Sequence, residues 1–498
     1  MNPLVVRSML ASLVGILLPG PSLVCQTQTA PSAPQEAMTV QSYDGRTMPA
    51  TVIRVQVPEK RARPERTITV AALRIPTTAE RAGRPIVFLM GGPGIPASVM
   101  APIPPYFSLF QRLRETADVI LVDQRGLGRS EPGLDCPFGE PLPSDLFVER
   151  SRISATVGRQ VASCAKQFRE AGHDPTAYST LESAADIDDV RKALGAEQVD
   201  LLAFSYGTRL ALAYVQRHGE HVGRAVLQAV NGPGLVLKRP APIARKLGRM
   251  GELLKQDASW KGPTDLPAAA QAARERLSRA SATVSITDRR TGQPLSLQVG
   301  RDGFDALVGL NLDDARLPAL LVSVAAGDDR VLALSAEAAW NGLGGGKVGL
   351  MARAVNCAAD RPDTRWDMVK SESAAAPFGM PVDNDFLTAE FCRNVGYEAP
   401  VVEFNGPVNS RIPVLLMTGT LDATNPVENA AEVARGFPNA VSLDVENAAH
   451  EALTVPAVQD VVVEFFRGGD VRGRSIAASP PRFLSVEEAS RPQPQRGR

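Results

Sequence analysis

Val199-Asp-Leu-Leu-Ala-Phe-Ser-Tyr-Gly-Thr208 is a short apolar run that ends on a serine with small residues two positions to either side, Ala203 and Gly207. The stretch Tyr206–His218 that follows carries Leu210, Ala211, Tyr214 and Val215 at helical spacing. A buried strand that passes directly into an amphipathic helix must turn within one residue. Such a turn leaves no room for bulk beside it and pushes the central hydroxyl out above the sheet. Ala203 replaces the glycine usual at the first small position, a departure of one methyl group. Ser205 is therefore the candidate nucleophile.

The rest of the chain can be placed around this turn. Ile86–Met90 and Val119–Val122 are continuous apolar runs, each leading into a Gly-rich loop, as expected of strands buried on both faces of a parallel sheet. Ser183-Ala-Ala-Asp186 can start a helix whose apolar face is Ile187, Val190, Ala193 and Leu194 and which stops at Gly195. Ala225–Val230 is a further strand. Thr51–Val57 and Thr67–Ile75, separated by the charged stretch Pro58–Arg66, suggest an antiparallel hairpin at a sheet edge. From Leu235 the pattern turns helical and polar, with a possible hairpin in Ser285–Val299, and strand character returns only at Pro413–Thr418 and Val441–Val445.

The fold class is thus α/β, a mostly parallel doubly wound sheet interrupted by a large, mainly helical inserted cap. Residues 38–234 form the first part of the core, 235–400 the insert and 401–470 the second part, followed by a tail over 471–498. Pro, Arg and Ser crowd Ala477–Arg498, so the tail is expected to be disordered over its last ten residues. No internal repeat is visible.

Composition excludes several classes of function. Lys+Arg and Asp+Glu both number 54, and aromatic residues make up 5%. There is neither the basic field nor the stacking surface of a nucleic-acid binder. Arg7, the apolar run Ser8–Leu18 and Pro19-Gly20-Pro21 match the n- and h-regions of a secretory signal over residues 1–25, with cleavage between Ser22 and Ala37. That run is too short to span a bilayer, so no stable membrane partner is expected beyond the export signal. Leu23-Val24 lacks the small residue of a lipobox, which makes a lipid anchor on Cys25 the weaker reading.

Without Cys25 four cysteines remain, and an exported chain would pair them. Three pairings are open. Cys136–Cys164 and Cys357–Cys392 are favoured because each pair lies within one regional segment, and neither has the CxxC spacing of a metal site. No motif calls for a cofactor.

A serine hydroxyl needs a base to take its proton. The chain has four histidines. His218 and His221 lie on or just past the helix that starts at Ser205, about 20 Å from it at 1.5 Å per residue. His173, in Gly172-His-Asp-Pro175, reads as a surface loop residue. His450 remains, in the loop Glu446–Glu451 after the last strand. The acid that orients it should follow an intervening strand, and Asp422 in Gly419-Thr-Leu-Asp-Ala-Thr-Asn-Pro426 does. Asp444 is the rival, but alternation gives it a mid-strand position. Developing charge on a substrate oxygen needs N–H donors, one from Tyr206 and one from Met90-Gly-Gly-Pro-Gly94. Pro93 has no N–H, so Gly92 is the first choice and Gly91 the second.

These motifs resemble those of the proline iminopeptidase and tripeptidyl-aminopeptidase (TAP-like) branch of the α/β-hydrolase fold, serine peptidase family S33. The resemblance rests on Gly91-Gly-Pro-Gly94, Asp123-Gln-Arg-Gly-Leu-Gly-Arg-Ser130, Phe204-Ser-Tyr-Gly-Thr208, Thr418-Gly-Thr-Leu-Asp-Ala-Thr-Asn-Pro426 and Ala449-His450. It runs from about residue 40 to 470, weakly across the insert. It implies a serine hydrolase that cleaves carboxylic amides or esters through an acyl-enzyme, foremost an aminopeptidase, with a small-molecule esterase as the alternative. A non-catalytic binding protein on the same fold is the remote one. It also implies that Asp123 and Arg125 brace the elbow and the oxyanion loop, and it supports the cysteine pairing. Met90 stands where many relatives have histidine, and Gln228-Ala-Val-Asn231 where Asp-Gly is usual. Both departures could reshape the pocket.

An insert roofing Ser205 would restrict access to chain ends and small molecules. A protonated amine beneath it would need a carboxylate. Glu252, Asp302, Asp305, Asp313 and Asp314 are available there, and spacing singles out none of them.

Overall fold

The apolar runs form the middle of a ten-stranded sheet. In chain order its strands are β1 (Gln35–Gln41), β2 (Thr47–Lys60), β3 (Arg63–Ile75), β4 (Ile86–Leu89), β5 (Val119–Asp123), β6 (Val199–Phe204) and β7 (Val222–Gln228). A separate hairpin, β8 (Ala282–Asp288) and β9 (Gln293–Val299), precedes β10 (Val414–Gly419), β11 (Ala440–Glu446) and β12 (Ile476–Ala477). The spatial order is β1-β2-β3-β5-β4-β6-β7-β10-β11-β12. Strands β5 to β12 in that order run parallel, while β1 to β3 are antiparallel to their neighbours. This computed structural model describes residues 35–492 apart from 345, 360–362, 399–403 and 405. The expected signal over residues 1–25, Cys25 and the last six residues of the tail lie outside the described residues.

Every residue of β4, β5, β6 and β10 is buried. Helices cover both faces there, which is why these strands read as unbroken apolar runs. The expected hairpin is β2 and β3, but it is not the sheet edge. β1 pairs outside it, and with only Val40 buried along its length its sequence carries too little alternation to be read as a strand. The tail packs on the core as far as Ala489, where its last ten residues begin. Ile476 and Ala477 add a tenth strand beside β11, Phe483 and Ala489 are buried, and the N–H of Leu484 donates to the carbonyl of Ala315 at 3.0 Å.

The insert consists of helices with β8–β9 among them. Lys238 lies just ahead of the helix Pro240–Gln256, and Arg353 lies on the helix Leu350–Cys357. The stretch expected in the core between β5 and β6 partly joins the insert. Phe147 bridges to Val299, and the N–H of Val348 donates to the carbonyl of Cys136 at 2.7 Å. Arg150–Glu170, for which no element is expected from the sequence, is an amphipathic helix. Both disulfides join partners within this region: Cys136–Cys164 with Cα atoms 5.7 Å apart and Cys357–Cys392 at 5.5 Å. Two such crosslinks are the mark of a chain that matures outside a reducing cytosol, in an extracellular or periplasmic setting. Among the described residues no helix is long and apolar enough to cross a membrane.

Arg125 departs from the role the resemblance gave it. Its fully buried guanidinium forks onto both oxygens of Asp186, at 2.7 Å each, and donates to the carbonyls of Glu59 and Ala177. It therefore ties the helix Thr180–Ala193 to β2 rather than touching the elbow. Arg61 shares Asp186 at 2.9 Å and adds Asp189 at 2.6 Å. Breaking a buried pair leaves an uncompensated charge, so Asp186→Asn should cost about 3–5 kcal/mol in urea unfolding. Loss below 1 kcal/mol would show that Arg61 and the carbonyls suffice for Arg125. Replacing Cys136 and Cys164 together by alanine opens a crosslink across 28 positions and should cost about 3–4 kcal/mol. An unchanged urea midpoint would contradict this.

Candidate active site

Ser205 sits at φ 54° and ψ −124° between β6 and the helix Tyr206–His218. This is a conformation that side-chain-bearing residues rarely adopt, and it costs on the order of 1–3 kcal/mol. The neighbouring backbone holds it there. The N–H of Ser205 donates to the carbonyl of Gln228 at 2.9 Å, and Thr208 Oγ1 donates to the carbonyl of Ser205 at 2.6 Å. Small residues are required by contact. A Cβ on Gly207 would lie 2.1 Å from the carbonyl oxygen of Leu89, and one on Gly91 would lie 2.7 Å from the Cβ of Ser205.

The structure brings Ser205, His450 and Asp422 together. His450 Nε2 is 3.0 Å from Ser205 Oγ and its Nδ1 is 2.8 Å from Asp422 Oδ2. The other carboxylate oxygen of Asp422 accepts the N–H groups of Thr424 at 2.8 Å and Asn425 at 2.9 Å. The carboxylate is fully shielded from water. The imidazole is fixed at its ring by Phe204, with centroids 5.0 Å apart, and at its backbone by Gln228, whose Nε2 donates to the carbonyl of His450 at 2.9 Å. In this arrangement the imidazole can take the serine proton as Oγ attacks a carbonyl, and Asp422 can stabilise the imidazolium that forms.

The other candidates lie elsewhere. Asp444 is exposed on β11. His218 stands near Asp188, 4.0 Å away, and His221 Nδ1 lies 3.1 Å from the carbonyl oxygen of Glu197. His173 lies in a loop as expected, partly exposed, with its Nδ1 held 2.8 Å from buried Glu59. Asp123 braces the loop behind Gly91-Gly-Pro-Gly94: it accepts the N–H and hydroxyl of Ser98 at 2.9 and 2.7 Å. Burial pushes its carboxyl above the usual range, with these donors pulling it back. Gly91 packs against Ser205, and Gly92, at φ 112°, lines the same cavity as Tyr206. Among the described residues no three His, Cys, Asp or Glu side chains converge as metal ligands would.

A cavity of about 390 Å³ opens beside the serine, walled by Gly92, Pro93 and Tyr206 and, from the insert side, by Lys238, Arg353 and Asp383. None of the five insert acids considered from the sequence lines it. Glu252, Asp302, Asp305 and Asp313 are paired with Lys255, Arg301, Arg274 and Lys246, while Asp314 accepts the N–H of Arg316. Sequence reasoning missed Asn425, whose Nδ2 donates to the carbonyl of Ala229 at 3.0 Å beside Ser205. Its place three residues after Asp422 was the available signal. Gln228 was noticed only as a departure, and nothing in the sequence points to the cavity cations.

The chain belongs to the alpha/beta hydrolase fold family, which its residues 84–456 match. It is similar to the tripeptidyl aminopeptidase of Streptomyces coelicolor, 24% identical over 464 residues, 86% of this chain and 82% of that one. It is also similar to serine protease Hip1 of Mycobacterium tuberculosis, 29% identical over 193 residues, 36% of each chain. The putative hydrolase YuaR of Escherichia coli is 28% identical over 167 residues, 33% of this chain and 31% of that one. The chain thus aligns with about a third of the length of YuaR and Hip1, whereas the likeness to the tripeptidyl aminopeptidase extends over most of both chains.

The close approach of Gly91 to Ser205 predicts that Gly91→Ala slows fluorophosphonate labelling of Ser205 by about 10²-fold, since displacement of this order costs that much. Overpacking costs about 1–3 kcal/mol, so the melting temperature should fall by a few degrees with the fold retained. An unchanged labelling rate would show that the loop does not set the serine's position.

Proposed function

We propose that this chain is an exported serine hydrolase that cleaves carboxylic amide or ester bonds through an acyl-enzyme on Ser205. The observation that carries the reading is the unbroken hydrogen-bond line from Asp422 through His450 to Ser205. His450 acts first as base and then returns the proton to the leaving group. Tyr206 and Gly92, with Gly91 as the alternative, supply the N–H groups for the oxyanion. Export through the N-terminal segment accords with the two disulfides.

A peptidase acting from the amino end is the first reading of the substrate. Support comes from the tripeptidyl aminopeptidase likeness and from an insert that contributes one wall of the cavity. An esterase is the second, favoured by the charge of that wall. Its single carboxylate, Asp383, stands among cations, so an ammonium group finds no acid of its own. The two separate by kcat/KM on an aminoacyl or peptidyl amide, its N-acetylated twin and a short-chain ester. Equal rates for free and blocked amines with the ester far ahead would remove the aminopeptidase reading.

Ser205→Ala and His450→Ala should each abolish turnover, with the double variant no worse than either, because nucleophile and base act as one unit. Ser205→Ala retaining more than a few per cent of the activity would overturn the acyl-enzyme assignment.

A further inference from the structure

Most cations of the insert are spoken for. Arg239 pairs with Glu372, Lys246 with Asp313, Arg274 with Asp305 and Arg276 with Asp329. Two of those that line the cavity beside the serine, Lys238 and Arg353, are not. Among the described residues neither Lys238 Nζ nor the guanidinium of Arg353 has a hydrogen bond or ion pair. The Nε of Arg353 is buried without a partner, and the ring of Phe386 lies beneath the guanidinium, 4.3 Å from Cζ to the centroid.

Cations withdrawn from water without counter-charges are costly, and folds keep them where a ligand brings the missing anion. Burial pushes Lys238 below the ordinary ammonium range, against the pull of Asp383, Asp422 and Asp313. Burial likewise lowers Arg353, with Asp383 opposing. Asp383 is exposed and stands as one carboxylate beside Lys238, Arg353, Arg209 and Lys347 on the same wall. Even with Lys347 set against Asp135 at 3.5 Å, the cavity keeps an excess of positive charge.

Its position decides which half of a substrate meets that charge. The wall includes Tyr206 and Gly92, next to the point a carbonyl oxygen would occupy, and no residue of the loop that carries His450. A leaving group must lie against His450 to receive its proton, so this cavity takes the acyl half.

We infer that the cavity is an acyl-side pocket for substrates whose acyl portion carries a carboxylate, with Lys238 and Arg353 as the residues that bind it. The planar fork of Arg353 suits two carboxylate oxygens and Lys238 supplies a point charge. The inference rests on the acyl-enzyme reading of Ser205. It holds for an amide or an ester, so an acidic residue near the amino end of a peptide and a dicarboxylic half-ester are both within its class.

The test uses 4-methylumbelliferyl esters and 4-nitroanilides of adipic acid and of its monomethyl ester, which differ only by the terminal charge. The wild-type enzyme should favour the free acid at least tenfold in kcat/KM, chiefly through KM. In Lys238→Met and Arg353→Met that ratio should collapse towards one. Free adipate should slow fluorophosphonate labelling of Ser205 in the wild type and not in the variants. Equal or reversed preference in the wild type, with Ser205 still labelled, overturns the pocket assignment and leaves the hydrolase standing. Neither turnover nor labelling would overturn the hydrolase reading, and this inference with it.

Discussion

The turn at Ser205 is the constraint that the rest of the structure serves. A serine at φ 54° is not held by its own preferences, so the strain must be offset by the surroundings. β7 supplies the carbonyl of Gln228, Thr208 closes the first turn of the helix, and the N–H of Asn231 donates to Thr208 Oγ1 at 2.8 Å. The strand β4 passes so close that position 207 has no room for a side chain. One crowded point therefore fixes the relative heights of β4, β6 and β7 at their carboxyl ends, where an open parallel sheet presents its loops.

The other two members of the triad arrive from the far side of the insert, yet His450 meets the serine, and Asp422 meets His450, within hydrogen-bond distance. Sheet order explains this. β10 lies directly beside β7 and β11 beside β10, so the loops that bear Asp422 and His450 leave the sheet next to the elbow. Gln228 acts on both sides, accepting from Ser205 and donating to His450. The insert can thus be long and divergent without disturbing the geometry, provided its ends return to neighbouring strands. The insert carries a crosslink of its own, Cys357–Cys392, while the buried Arg125–Asp186 pair anchors a core helix.

How far this could be read in the sequence follows from the same physics. Strands buried on both faces leave continuous apolar runs, so β4, β5, β6 and β10 were legible. β1, with one buried side chain, and the two-residue β12 were not. His450 was legible because only four histidines exist and the chain geometry disqualifies the others. Arg125 was misplaced because a motif shows that a residue is fixed, not which partner fixes it. Lys238 and Arg353 were beyond reach. They come from distant segments of the insert, each an ordinary basic residue in its own context, and only the folded chain shows that they share a cavity.

That juxtaposition bears on how substrate class and catalytic machinery are divided. Ser205, His450 and Asp422 stand on loops of the sheet, whereas Lys238 and Arg353 belong to the insert. The chemistry is set by elements whose positions the elbow fixes; the charge of the pocket is set by a layer that packs over them. An amine-binding relative would need acids on that layer free of neighbouring bases. Here the insert acids weighed from the sequence are engaged with bases or backbone, and among the described residues the cavity's Lys238 and Arg353 side chains have no such partner. Electrostatic selection acts through differences in affinity, so this layer would reject a bare ammonium in the acyl pocket as actively as it would accept a carboxylate. The same fold and the same triad can therefore carry opposite charge preferences, with the insert deciding between them.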